Sequence, residues 1–177
     1  NHPVYVFLLG LAYGTIAIFL SLWLFEDQAS RVMVFLAATA AVPLLYHTMH
    51  FEEKKDLFAE EGKSMLREHA GALAFYLMLF LGMSVVFSFW YLALPTETAS
   101  GLFRVQSQTI ANLNQHVTGN ITQTHLLSKI FLNNVKVMIF CLLFSFLYGS
   151  GAIFILTWNA SVIGAAVGNF VRSHMAQ

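Results

Sequence analysis

The sequence predicts an all-α fold, a polytopic transmembrane helix bundle of about four to five membrane segments plus a cytoplasmic amphipathic helix, and three observations carry that expectation. Hydrophobic residues make up 58% of the chain and charged ones only 10%, where a soluble domain carries roughly 25% charged residues. The mean hydropathy is +0.67. Long uncharged stretches recur, and each is near or above the roughly 20 residues that cross a hydrocarbon core as a helix. The lipid bilayer is therefore the first expected partner. The whole of 1–177 reads as a single membrane domain.

Nine basic residues offset nine acidic ones, so the formal net charge is +0. No global field draws the chain to nucleic acid, and no nucleic-acid partner is expected. The single cysteine, Cys141, lies in an apolar run, which leaves no material for a disulfide framework or a cysteine-based zinc site within one chain. No cofactor is expected.

The first span is Val4 to Phe25 (4–25), 22 residues without a charge. It lacks the basic start and small-residue cleavage site of a secretory signal, so it reads as retained. A polar link from Glu26 to Arg31 leads into a second span at 32–49, in which Pro43 can kink a helix that its neighbours support. The third, Ala70 to Leu94 (70–94), is 25 uncharged residues closed by Pro95, with Trp90 and Tyr91 as expected interface anchors. From Val137 to Val171 run 35 uncharged residues, about 52 Å as one helix and too long for the bilayer. Of two break points, Gly149-Ser150-Gly151 and Thr157 to Ser161, the polar cluster at the second is favoured. That yields a fourth span at 134–158 and a partial or re-entrant segment at 159–171. The missing initiator Met and the ending at Arg172–Gln177 lead us to expect a piece of a longer protein.

Lys54, Lys55, Lys63 and Arg67 lie between the second and third spans, whereas Arg104 and Lys129 are the only basic side chains in the 95–133 connection. The positive-inside rule then makes 51–69 cytoplasmic and 95–133 external, in a multi-pass protein of the cell (plasma) membrane. The sequon Asn120-Ile121-Thr122 agrees with that orientation.

Within 51–69, Phe51, Phe58 and Met65 recur at heptad spacing on a charged helix. The stripe either rests on the bundle or docks a cytoplasmic partner. His47 and His50, with Glu53 one turn on, have the spacing of a weak metal site, although zinc normally takes four ligands; interfacial histidines are the plainer reading. The 95–133 segment is rich in amides and hydroxyls, and Leu102, Phe103, Val105, Ile110 and Leu113 give it a loose helical period. Part of it is expected to lie in the interface plane as an outer cap. Asn133, Asn134, Lys136 and Asn159 are costly against lipid and should face the bundle interior, as interhelical hydrogen bonds or as the lining of a substrate path, with Gly149 and Gly151 as hinge residues. Ala160, Gly164 and Gly168 form a small-residue face for close helix packing, within the chain or between copies. No catalytic constellation is found, so the chain is not expected to be an enzyme.

Phe131-Leu132-Asn133-Asn134-Val135-Lys136, then Tyr148-Gly149-Ser150-Gly151, then Leu156 to Gly164 form a pattern that resembles the stage II sporulation protein M family of integral membrane proteins, in the form typical of archaeal members. Many members have Asn-Gly where this chain has Asn159-Ala160, which weakens the case for a glycine-dependent turn there. The resemblance implies a scaffold in a membrane complex, as the bacterial namesake recruits cell-wall hydrolases during engulfment. It also implies other membrane subunits or a homo-oligomer as partners. Members usually continue with further membrane helices after the equivalent of Val171. The alternative is a transporter or permease-like subunit with a polar path near Asn133, Asn134, Lys136 and Asn159.

Overall fold

Apolar side chains on every face, with Gly and Ala at four-residue spacing, favour long helices that meet one another through their small residues and meet lipid through their large ones. The computed structural model describes residues 3–56, 70–118, 131–132, 135–136, 139 and 151–175. Among them the chain forms α1 (Pro3–Leu24), a 3-10 turn (Glu26–Gln28), α2 (Ala29–Asp56), α3 (Ala70–Ala93), α4 (Thr96–Leu102), α5 (Arg104–Thr118) and α6 (Gly151–Met175), with no strand. The fold is an all-α helical bundle. Four stretches are long and apolar enough to cross a membrane: Pro3–Leu24, Glu26–Thr48, Ala70–Ala93 and Gly151–Met175.

The four long helices form a ring in which α1 packs on α2 and α3, and α6 packs on α3 and α2. Gly10 of α1 lies against Gly82 of α3 and Gly14 against Val86, so the two helices run in the same direction. Thr157, Gly164 and Gly168 of α6 meet Met83, Phe87 and Tyr91 in that order, so α6 also runs parallel to α3. α2 returns antiparallel after the tight turn at Glu26–Gln28. The ends of α1, α3 and α6 therefore share one side of the bundle with the start of α2.

The core is built from α2 (Met33, Val34, Ala37, Ala41), α3 (Leu79, Met83, Phe87) and α6 (Ile153, Ala160, Ala165), all buried. Outward faces are equally apolar: Leu8 and Ile16 of α1 and Leu73, Leu77 and Phe89 of α3 are exposed. In water, a surface of this kind would be an association hazard; against acyl chains it is solvated.

Several expectations are corrected. α2 is one helix to Asp56, with Pro43 inside it and exposed, so Phe51 to Asp56 continue the second long helix rather than begin a separate one; residues 57–69 lie outside the described residues. α6 runs from Gly151 to Met175 without a break at Thr157 to Ser161. The expected start of the 134–158 span lies outside the described residues, and the expected break between 158 and 159 is absent, since both residues lie within one helix. The polar cluster does not interrupt it because its hydroxyls bond within the helix: Thr157 Oγ1 donates to the Ile153 carbonyl at 2.8 Å and Ser161 Oγ to the Trp158 carbonyl at 2.7 Å. Tyr91 is not an interface anchor but a buried residue under α6, while Trp90 is half-buried and donates its Nε1–H to Thr15 Oγ1 at 3.2 Å.

Candidate functional site

The short α4 folds back after Pro95, whose missing N–H and fixed φ of −53° suit the residue before a helix start. The end of α4 and the first turn of α5 deliver Leu102, Phe103 and Gln106 into the bundle, where all three are buried. The Phe103 ring stands edge-on to Phe87 at 6.4 Å between centroids and tilted against Tyr91 at 5.1 Å. The start of the 95–133 connection is therefore wedged into the bundle rather than laid flat over it.

Gln106 is the centre of the buried polar structure. Ser30 Oγ donates to Gln106 Oε1 at 2.8 Å, Gln106 Nε2 donates to the Ser30 carbonyl at 3.2 Å and to Ser161 Oγ at 3.3 Å, and the Val105 N–H donates to Ser30 Oγ at 3.0 Å. One amide thus ties α2, α5 and α6 together with both its oxygen and its nitrogen engaged. Each partner is a neutral group, so the network carries no charge into the interior.

A second anchor lies at the far end of α6. Arg172 Nη2 donates to the carbonyls of Tyr91, Leu92 and Leu94 at 2.6, 3.2 and 2.8 Å, and its guanidinium carbon lies 5.2 Å from the centroid of the Tyr91 ring. These carbonyls end α3 and have no intrahelical partner, so a cation there meets both their lone pairs and the negative end of the helix dipole.

The sequence-predicted residues do not assemble into one site among the described residues. Asn133, Asn134 and Gly149 lie outside them. Lys136 is exposed, and Gly151 is half-buried at the start of α6. Asn159 does not face the interior: it is exposed, and its Nδ2 donates to the Ile155 carbonyl of its own helix at 2.8 Å. The reason is angular. The buried stripe of α6 is Ile153, Thr157, Ala160, Ser161, Gly164, Ala165 and Gly168, and position 159 is about 200° around the helix from 157 at 3.6 residues per turn.

Ala160, Gly164 and Gly168 are all buried against α3 or the bundle centre. A Cβ on Gly164 would stand 3.1 Å from the Phe87 carbonyl carbon and the Ser88 nitrogen, and one on Gly168 would stand 2.7 Å from three atoms of the Tyr91 side chain. His47 and His50 are exposed on α2; the Glu53 side chain, like that of Phe51, lies outside the described residues, as do Phe58 and Met65. Among the described residues no group of three or more His, Cys, Asp or Glu is placed to hold a metal.

Sequence reading missed Gln106, Ser30 and the Gly10–Gly82 crossing. For Gln106 a signal existed: it follows Leu102 and Phe103 at helical spacing, on the face they bury. For the crossing, Gly10 and Gly14 form the same small-residue spacing as Gly164 and Gly168.

No curated protein and no solved structure matches the chain. The family model described as SpoIIM: Stage II sporulation protein M matches residues 74–177, more than half of the chain. That stretch contains most of α3, the Gln106 wedge and α6, and with them both ends of the Arg172 anchor, while Ser30 of the Gln106 network lies before it. This is a membrane protein, and it belongs to the stage II sporulation protein M family.

Proposed function

We propose that the protein is a non-enzymatic subunit or scaffold of a membrane complex, one that works through its outer surfaces rather than through a path in its interior. The observation that carries this reading is the character of the buried polar groups. Among the described residues these are Ser21, Ser30, Ser84, Gln106, Thr157 and Ser161, none of them ionisable. All but the Ser84 hydroxyl are paired within the bundle. A permease path needs convergent polar groups with access to water, and Asn159, the described member of the expected path within a long helix, turns outward instead.

In this reading the chain is multi-pass in the plasma membrane, with 51–69 cytoplasmic and 95–133 external. The basic residues Lys54, Lys55, Lys63 and Arg67 support that orientation. Partners are other membrane subunits or further copies of the chain, with Phe51, Phe58 and Met65 as the cytoplasmic docking stripe. The test is isolation of the full-length protein from its native membranes in mild detergent, beside a Phe58→Asp, Met65→Asp variant. We expect near-stoichiometric membrane partners with the parent chain and their loss with the variant, at equal membrane insertion. Co-isolation of an ATP-hydrolysing subunit would instead make the chain a permease component, and unchanged retention by the variant would remove the stripe as the dock.

A further inference from the structure

On the outer wall of the bundle, between the start of α2, the start of α5 and the first turns of α6, lies a cleft of about 400 Å³ lined by Arg31, Val34, Val105, Phe154, Ile155 and Trp158. Its volume falls in the range of small-molecule sites, roughly 300–1,000 Å³. Five of its six lining side chains are apolar. Arg31 and Phe154 are exposed, so the cleft opens away from the bundle interior.

One charged side chain, Arg31, lines the cleft, and Arg104 adjoins the lining residue Val105 in sequence. Arg31 follows Ser30 in sequence and Arg104 precedes Val105, and the Val105 N–H to Ser30 Oγ bond of 3.0 Å joins those two neighbours directly. Both arginines are exposed. Arg31 gives one N–H to Gln28 Oε1 at 3.1 Å, which leaves most of its five donors for another acceptor. Glu26 and Asp27 stand on the preceding turn and do not line the cleft. The Gln106 network, to which Ser30 and the Val105 N–H belong, fixes the positions of α2 and α5 relative to one another, so the two guanidinium stems spring from a rigid base.

We propose that this cleft binds one anionic phospholipid, with an acyl chain along Val34, Phe154, Ile155 and Trp158 and the phosphate headgroup at Arg31 and Arg104. Charge complementarity chooses the occupant: a planar guanidinium pairs with phosphate oxygens in two-pronged fashion, and the apolar lining suits a chain that already borders the outer wall. The site stands whether or not the protein organises a complex, since it needs only a bilayer around the bundle.

The test is native mass spectrometry of the full chain in mild detergent, titrated with phosphatidylglycerol and, separately, with phosphatidylcholine of the same acyl chains. We expect one tightly held phosphatidylglycerol and a preference over phosphatidylcholine of about tenfold, from two interfacial arginines. Arg31→Gln with Arg104→Gln should erase the preference, and Arg31→Lys with Arg104→Lys should restore part of it. Ile155→Trp, which fills the cleft, should weaken both lipids alike. Excess inorganic phosphate should not displace the lipid, and displacement would show an anion site without an acyl channel. Equal binding of the two lipids, or undiminished phosphatidylglycerol binding in both the glutamine and the tryptophan variants, would overturn the proposal.

Discussion

Gln106 and Ser30 hold each other in both directions: the Ser30 hydroxyl donates to the Gln106 oxygen at 2.8 Å, and the Gln106 nitrogen donates back to the Ser30 carbonyl at 3.2 Å. Where neighbouring helices gain nothing from excluding water, as in lipid, such bonds and close packing provide the specificity. Replacing Gln106 by Leu keeps similar bulk but takes away the acceptor of the Ser30 hydroxyl and the donor to the Ser30 carbonyl and Ser161 Oγ. We predict a loss of about 2–3 kcal/mol in detergent unfolding. Ser161→Ala, which gives up one bond of 3.3 Å, should cost only about 0.5 kcal/mol. Equal losses for the two variants would show that the amide is not the hub.

The crossing of α1 and α3 sets a second expectation. A Cβ on Gly10 would stand 2.8 Å from the Leu79 carbonyl oxygen and 3.1 Å from the Met83 nitrogen, and one on Gly82 would collide with the Phe7 carbonyl. These obstacles are backbone, so the helices must separate for a side chain to fit. Gly82→Ala should destabilise by about 2–3 kcal/mol. Gly101→Ala is the internal control, since nothing lies within 4 Å of its Cβ and helix propensity favours alanine by up to about 1 kcal/mol. Unfolding titrations of the two variants should move in opposite directions.

Along α6 the two glycines should not respond equally. The atoms nearest a Gly164 Cβ are the Phe87 Cβ and the Phe87 and Ser88 backbone, whereas those nearest a Gly168 Cβ are the Tyr91 Cβ and two atoms of its ring. A ring can swing aside more readily than a helix backbone. Gly164→Ala is therefore expected to lower the unfolding midpoint more than Gly168→Ala, and the reverse order would contradict the packing described.

Arg172 tests the anchor between the ends of α6 and α3. Arg172→Gln removes the charge over Tyr91 and shortens the reach to the three carbonyls. Because the group is partly exposed and therefore partly screened, the expected cost is about 1 kcal/mol. Hydrogen exchange should rise first in the amides of Ser173, His174 and Met175 as the end of α6 frays. A variant whose exchange is unchanged there would show that Arg172 does not hold the helix end.

The long helices were legible because length and apolarity alone mark them: α1 occupies Pro3–Leu24 against an expected 4–25, and α3 occupies Ala70–Ala93 against 70–94. α2 begins at Ala29, earlier than the expected 32, because the exposed Arg31 is tolerated at the start of the helix. The break expected at Thr157 to Ser161 was misplaced for a related reason. Thr157 and Ser161 read as a polar interruption in sequence, yet hydroxyls that bond to the preceding turn cost a membrane helix little. Gln106 was hidden by its surroundings, one amide in a stretch full of them, and only the burial of Leu102 and Phe103 distinguishes its face. Asn159 misled in the opposite sense, since an amide in an apolar run was expected inward but satisfies its nitrogen on its own helix.

The central claim is that the interior of this bundle is closed and that the protein acts through its surfaces. The most direct measurement is thiol accessibility in native membranes, with Cys141→Ser as background and single cysteines placed at Ser84, Thr157 and Ser161, beside Arg104→Cys as an exposed control. The account predicts rapid modification of the position 104 thiol by a membrane-impermeant maleimide and none at the three buried positions. Modification at 84 or 157 in the folded protein would reveal a water-filled route through the bundle and contradict the account.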